Sequence, residues 1–426
     1  MINRAESPLI KDAVDFTLTL PAVASYTLNN GVPVYEVNTG AQEVAQIEFV
    51  FYAGNFFEEQ QSIAAATNTL TQNGTSTKTA YQLNEAFDYL GAFCSRSCYN
   101  ETAVIKLNCL SKRLPELIPI IAEMITDATF PDEELATFKQ NSKQRLSVNL
   151  QKSEFVASRL IDAYLYGRSH PYGKYTEEQD IDQLDAELLR KFYDQYYRRG
   201  ECMIFVSGKF TQNVEAILNA SIGQLPIVAP KKTLPAFALQ PEINKKHHIT
   251  NDPQSVQGAI RIGRSFVNRK HPDFSKLMLL NTIFGGYYGS RLMSNIREDK
   301  GYTYGIYSYG QNHLSDAGFI ISTEAGKDVC AATIEEVYKE MNLLKTELVT
   351  EEELSLVRNY MIGSILGSLD GPFQIMAKWK NIILNDLTEE SFYKSIHDIK
   401  TTTAEELQAL AQQYFNQEEF YELVVY

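Results

Sequence analysis

The sequence predicts an α+β fold: two homologous α/β-layer halves, each an antiparallel or mixed sheet with helices packed on one face, joined by a linker. Three observations predict it. The chain repeats itself once, a proline-rich stretch separates the copies, and segments of period two alternate with segments of helical period.

The repeat is read from three landmarks. Pro131-Asp132-Glu133-Glu134-Leu135 opens a helical stretch in the first half, and Thr350-Glu351-Glu352-Glu353-Leu354 opens one in the second, Leu354 lying 219 residues after Leu135. Ala186-Glu187-Leu188-Leu189, leading to Gln195-Tyr196-Tyr197, returns 218 residues later as Ala404-Glu405-Glu406-Leu407, leading to Gln413-Tyr414-Phe415. Each copy then ends in an apolar strand, Cys202 to Ser207 and Tyr421 to Tyr426. Between the copies, Pro226, Pro230, Pro235 and Pro241 interrupt regular structure. The expected organisation is residues 1–221, a linker over 222–245, and residues 246–426.

Within the halves, Ile47, Phe49 and Phe51 alternate with Glu48, Val50 and Tyr52, which predicts a strand partly covered on both faces. Ile105, Leu107 and Cys109 alternate in the same way. Leu117, Ile120, Ile121 and Met124 follow Pro115 at helical spacing. Residues 132–163 and 352–382 read as long helices.

Composition narrows the function classes. Of the 426 residues 44% are hydrophobic and 22% charged, an ordinary globular balance that can bury a large core. The net charge of −14 repels nucleic acid and anionic membranes, and the pairs Lys231-Lys232 and Lys245-Lys246 are too short to reverse that. Five scattered cysteines give no disulfide framework, and Cys94-x-x-x-Cys98 has no second Cys/His pair at zinc spacing. MINRAESPLIKDAVDF has no apolar core of signal-peptide length, and no later run reaches the ~18 apolar residues of a membrane span. The expectation is a cytoplasmic protein.

Two stretches carry a more specific signal. The first is Ala53-Gly54-Asn55-Phe56-Phe57-Glu58, followed by Ser62-Ile63-Ala64-Ala65-Ala66-Thr67-Asn68-Thr69-Leu70 and Asn73-Gly74-Thr75. The second is Phe284-Gly285-Gly286-Tyr287-Tyr288-Gly289-Ser290-Arg291-Leu292, continuing as Ile296-Arg297-Glu298-Asp299-Lys300-Gly301-Tyr302-Thr303-Tyr304. Both resemble the pitrilysin family of inverted zinc peptidases, which includes insulin-degrading enzymes and mitochondrial processing peptidases. The resemblance implies a processing-peptidase-like fold over about residues 25–426.

In that family a helix carries H-x-x-E-H. Two His at i and i+4 share a helical face and reach one zinc ion, and the Glu between them accepts a proton from zinc-bound water. In register, the first His position is Ala65, the Glu position Asn68 and the second His position Thr69. The further Glu ligand falls near Gln144-Arg145. A methyl, an amide and an alcohol replace two imidazoles and a base, so the resemblance implies a chain with no catalytic residues, no metal and a degenerate zinc site.

The second stretch implies a different role. In active relatives an Arg, followed seven residues later by a Tyr, holds the substrate backbone and stabilises the developing oxyanion. Arg297 and Tyr304 match them and are the candidate substrate-binding pair. The alternative is that Arg297 pairs with an acid such as Glu298 while Tyr304 packs in the core. His170, in a His-Pro-Tyr-Gly turn, and Arg291 read as structural.

The resulting expectation is a non-catalytic, substrate-binding subunit of a heterodimeric zinc metallopeptidase. Its partner would be a homologous chain that bears H-x-x-E-H and holds the zinc, and its substrate a peptide. The alternative is an inert homodimeric scaffold or peptide-binding protein of the same fold. A cysteine nucleophile is a third class, but no Cys-His arrangement is inferred for it.

Overall fold

The computed structural model describes residues 12–426. The first eleven residues, including most of the stretch read for a signal peptide and the start of the expected 1–221 unit, lie outside the described residues.

The strands are β1 (Ala24–Thr27), β2 (Pro33–Asn38), β3 (Val44–Phe51), β4 (Phe93–Cys98), β5 (Ala103–Leu110) and β6 (Cys202–Gly208) in the first half. The second half has β7 (Lys246–Ile249), β8 (Gln257–Ser265), β9 (Thr303–Asn312), β10 (Ala317–Gly326) and β11 (Tyr421–Val425). They form a six-stranded sheet in the order β1-β2-β6-β3-β5-β4 and a five-stranded sheet in the order β7-β11-β8-β10-β9. β2 runs parallel to β6, as β7 does to β11, and every other pairing is antiparallel. Apart from β1, the two sheets have the same order and the same directions, so both are mixed and the sequence repeat is a repeat of topology.

Alternation along the central strands sorts the core. Ile47, Phe49 and Phe51 of β3 face a core completed by Leu117, Ile121 and Met124 of helix Leu114–Asp127. Ile260 and Ile262 of β8 face the matching core, with Val337 and Met341 of helix Cys330–Thr346. Each half therefore packs its own helices on one face of its sheet.

The opposite faces are covered by exchange. The two long helical stretches each break into a pair, Asp132–Leu150 with Ser153–Tyr166, and Glu351–Gly367 with Pro372–Leu384. In the first, Lys152 takes an extended conformation; in the second, Gly371 adopts φ 87° and Pro372 opens the next helix. After each break the chain crosses to the other half. Val156, Ala157, Ile161 and Leu165 pack against Ala259, Ile320, Leu423 and Val425 of the second sheet. Reciprocally, Ile375, Met376, Trp379 and Ile382 pack against Val37, Val50, Tyr52 and Phe205 of the first. Each such Val, Ile, Leu, Phe or Met side chain contributes roughly 1.5–3 kcal/mol on burial, so the exchange ties the halves strongly. Buried Arg261 adds a polar tie: it reaches Glu324 at 2.9 Å, Ser158 Oγ at 3.2 Å and the Glu154 carbonyl at 3.4 Å.

Residues 222–245 pass between the halves with a 3₁₀ turn at Ile222–Gln224, a bridge at Val228, and otherwise neither helix nor strand. The segment is fastened to the exchanged helix, the Gln240 and Glu242 amides donating to the Tyr166 and Tyr164 carbonyls. No helix among the described residues is long and apolar enough to cross a membrane.

Candidate functional site

The first candidate region begins where β3 runs into Ala53-Gly54. A Cβ at Gly54 would lie 2.3 Å from the carbonyl oxygens of both Tyr99 and Asn100. Glycine is therefore required for the chain to cross the β4–β5 hairpin, where the Asn55 and Phe56 amides donate to those carbonyls. The turn carries Glu58 beneath the start of helix Ile63–Leu70, where one carboxylate oxygen accepts from the Ala64 amide at 3.0 Å. Its other oxygen is buried without a hydrogen-bond partner. Burial pushes the Glu58 carboxyl up to about 7 against the opposing pull of the Ala64 and Ser62 amides.

On that helix, Ala65 is half-buried and offers a methyl group. Asn68 is buried, and its amide donates to the Tyr197 hydroxyl at 2.9 Å. Thr69 is exposed, and its hydroxyl donates to the Ala65 carbonyl at 2.8 Å. Gln144 and Arg145 are exposed on helix Asp132–Leu150. Among the described residues, no three or more His, Cys, Asp or Glu side chains group to hold a metal ion.

Arg297 lies on a π-helical segment, Met293–Asp299, a wide turn that often marks functional sites. The segment leads through Gly301 into β9, the edge strand of the second sheet, where Tyr304 is the second residue. The Arg297 Nε donates to the Tyr304 carbonyl at 2.9 Å. A second nitrogen donates to the Tyr288 hydroxyl, and the guanidinium stands 4.9 Å from the Tyr288 ring centroid. Glu298 lies 3.7 Å away.

The structure thus brings Arg297 and Tyr304 together. The Glu298 contact exists, but at 3.7 Å it is an ion pair without a hydrogen bond. Tyr304 does not pack in the core: it is 91% exposed, and its phenol has no hydrogen-bond partner among the described residues. Tyr288, 57% exposed, is a third member that the sequence reading missed. Its signal was its place in the Gly286-Tyr287-Tyr288-Gly289 turn, just upstream of Arg297. No hydrogen bond or ion pair among the described residues joins this cluster to helix Ile63–Leu70.

The residues read as structural are built into the fold. His170 is buried against Tyr166, Tyr172 and Phe56, its Nδ1 accepts from the Tyr172 amide, and burial lowers its basicity. Arg291 grips Glu353 through two nitrogens at 2.8 and 2.7 Å. The five cysteines form no disulfide, and burial pushes the Cys94, Cys98 and Cys109 thiols up to about 12, far from thiolate at neutral pH.

Comparison with known proteins matches residues 34–173 to the family described as "Insulinase (Peptidase family M16)" and residues 183–361 to that described as "Peptidase M16 inactive domain". An uncharacterized zinc protease of Bacillus subtilis, YmxG, is 23% identical over 400 residues, covering 93% of this chain and 96% of its own length. One from Rickettsia felis is 24% identical over 349 residues, covering 80% of this chain and 82% of its own. The crystal structure of a peptidase M16 inactive domain from Pseudomonas fluorescens superimposes with a TM-score of 0.83 at 24% identity, over 95% of this chain and 98% of that one. The periplasmic protease PqqL from Escherichia coli gives a TM-score of 0.78 at 16% identity, over 100% of this chain but 48% of PqqL. The two-half architecture is shared with these structures.

Proposed function

Because the chain belongs to the pitrilysin/insulinase family of peptidases, we propose that it is a non-catalytic, substrate-holding subunit of a heterodimeric zinc metallopeptidase. The observation that carries this reading is the contrast between its two candidate regions. Arg297 and Tyr304 stand side by side with the phenol free, whereas Ala65, Asn68 and Thr69 do not fit a zinc ion. Ala65 has no donor atom, the Asn68 amide is engaged by Tyr197, and the Thr69 hydroxyl is engaged by its own helix. Thr and Asn side chains also lack the basicity of the imidazole, thiolate and carboxylate groups that bind zinc.

In this reading the zinc would be held by the H-x-x-E-H motif of a homologous partner chain and would supply the Lewis acidity that activates water. This chain contributes hydrogen-bond donors. The Tyr304 phenol is available to a substrate carbonyl oxygen. Arg297, steadied by the Tyr304 carbonyl and the Tyr288 hydroxyl, keeps further N–H groups and a positive charge where the oxyanion develops. The coverage of PqqL supports a shared site, since one chain of that protease has about the length of two chains like this one. Placement in the cytoplasm is part of the proposal, supported by five cysteines without a disulfide.

The test is zinc titration of the purified chain, followed by mass spectrometry under native conditions, with a peptide-cleavage assay on the same sample. The expected result is no stoichiometric zinc and no turnover. One tightly held zinc per chain with chelator-sensitive cleavage would overturn the proposal.

A further inference from the structure

A cavity of about 380 Å³ lies between the exchanged helix Pro372–Leu384, helix Glu389–Thr401 and the segment leading into helix Phe274–Asn281. Arg269 and Lys378 line it, and no Asp or Glu does. Among the described residues neither cation has an ion-pair or hydrogen-bond partner; the Arg269 guanidinium only stands 5.4 Å from the Phe274 ring centroid. The hydroxyls of Ser275 and Ser395, also in the lining, have no partner among the described residues either. Ser368 and Ser391 donate to the Ile365 and Thr388 carbonyls.

This is unusual in its surroundings. The chain carries a net charge of −14, so carboxylates are plentiful. The neighbouring cations have taken them: Lys270 pairs with Asp386, Lys380 with Glu48 and Lys394 with Asp398. Arg261, the buried arginine of the second sheet, has acceptors on Glu324, Ser158 and backbone carbonyls. Arg269 and Lys378, both half-buried, instead line one solvent-accessible cavity together, with no carboxylate in its lining. Burial holds the Arg269 guanidinium below its ordinary basicity, and burial followed by the Arg269 charge does the same to the Lys378 ammonium. The two cations repel each other across this cavity, and an anion bound between them would relieve that repulsion.

We propose that this cavity binds a phosphoryl group, either inorganic phosphate or the head of a small phosphomonoester. A guanidinium offers paired N–H donors to two phosphoryl oxygens, and an ammonium offers a compact charge to a third. Ser275 and Ser395 supply neutral donors. The volume leaves room for an organic remainder beyond the phosphate. The site stands apart from the peptidase reading, because it uses none of the residues assigned there.

The test is isothermal titration of the full chain with sodium phosphate and with adenosine monophosphate, at an ionic strength held constant with sodium chloride. Saturable binding of phosphate is expected, weakened at least tenfold by Lys378→Met and by Arg269→Met, and unchanged by Lys270→Met. Without phosphate, both cavity variants should melt at or above the temperature of the parent chain, because each removes a repulsion. Tighter binding of the nucleotide than of phosphate through the same two cations identifies a phosphomonoester as the ligand; equal affinity identifies phosphate itself. A phosphate response no larger than that of chloride, or one untouched by both cavity substitutions, overturns the proposal. So does a lowered melting temperature of both ligand-free variants, which would make the two cations structural.

Discussion

The two halves share a strand order and its directions, yet they treat their candidate residues in opposite ways. In the first half, the candidate polar groups of helix Ile63–Leu70 are engaged by the protein itself. Asn68 is tied to Tyr197, Thr69 to its own helix, and the helix start rests on buried Glu58. In the second half, Arg297 is braced by Tyr288 and a backbone carbonyl so that Tyr304 stands free at a sheet edge. One scaffold thus carries a closed version and an open version of a site. The scaffold alone does not decide function; the few residues placed on it do. Substitutions in the first region should therefore cost stability, and substitutions in the second should cost activity.

The largest expected effect tests whether the halves can be compared as parts of one folding unit. Trp379 belongs to the second half but lies on the first sheet, with its indole N–H on the Pro21 carbonyl at 2.8 Å. Trp379→Ala should cost about 3–5 kcal/mol in urea denaturation, with near- and far-ultraviolet circular dichroism still following one transition. Two separated transitions would break the picture of interlocked halves.

The next effect concerns Glu58. Its folded pKa, about 7, lies above its ordinary value of 4.5, so the native state binds the extra proton. Stability from this carboxyl is present below pH 4.5 and is lost as pH rises through 7, on the order of 3 kcal/mol in total. Glu58→Gln keeps an oxygen for the Ala64 amide but cannot ionise. Its stability relative to the parent chain should therefore improve from pH 5 to pH 7 and level off above that. A pH-independent difference would show that the carboxyl is not held in its neutral form.

Gly54→Ala comes third, at about 1–3 kcal/mol, because the new methyl group meets the Tyr99 and Asn100 carbonyls. A melting temperature equal to that of the parent would show that the hairpin crossing is loose. Smallest is Tyr304→Phe. The side chain is almost wholly exposed and its hydroxyl unbonded, so thermal denaturation should detect a change within about 0.5 kcal/mol. A larger loss would make Tyr304 a structural residue and erase the contrast.

Much of this was legible in the sequence. The repeat announced two like halves, period-two runs marked β3 and β5, and the Gly-rich stretch before Arg297 marked the second region. What was not legible has physical causes. The break at Gln151-Lys152 contains neither glycine nor proline, so residues 132–163 read as one helix; only the second break carries a signal, Gly371-Pro372. Helical periodicity reports that a helix has an apolar face, not which sheet the face meets, so the exchange of Ser153–Tyr166 and Pro372–Leu384 was hidden. The π-helical turn under Arg297 leaves no periodic trace over seven residues. Tyr288 was hidden because a tyrosine beside a glycine turn looks the same whether it packs inward or braces an arginine.

The central claim is that this chain supplies Arg297 and Tyr304 to a site whose zinc belongs to another chain. The most direct measurement mixes the purified chain with a co-purifying homologue that carries H-x-x-E-H and follows cleavage of a reporter peptide. The account predicts turnover only in the mixture, with kcat/KM reduced about 10²-fold or more by Arg297→Ala at unchanged complex stability. Cleavage by the homologue alone at the full rate, or a mixture indifferent to Arg297→Ala and Tyr304→Phe, would contradict it.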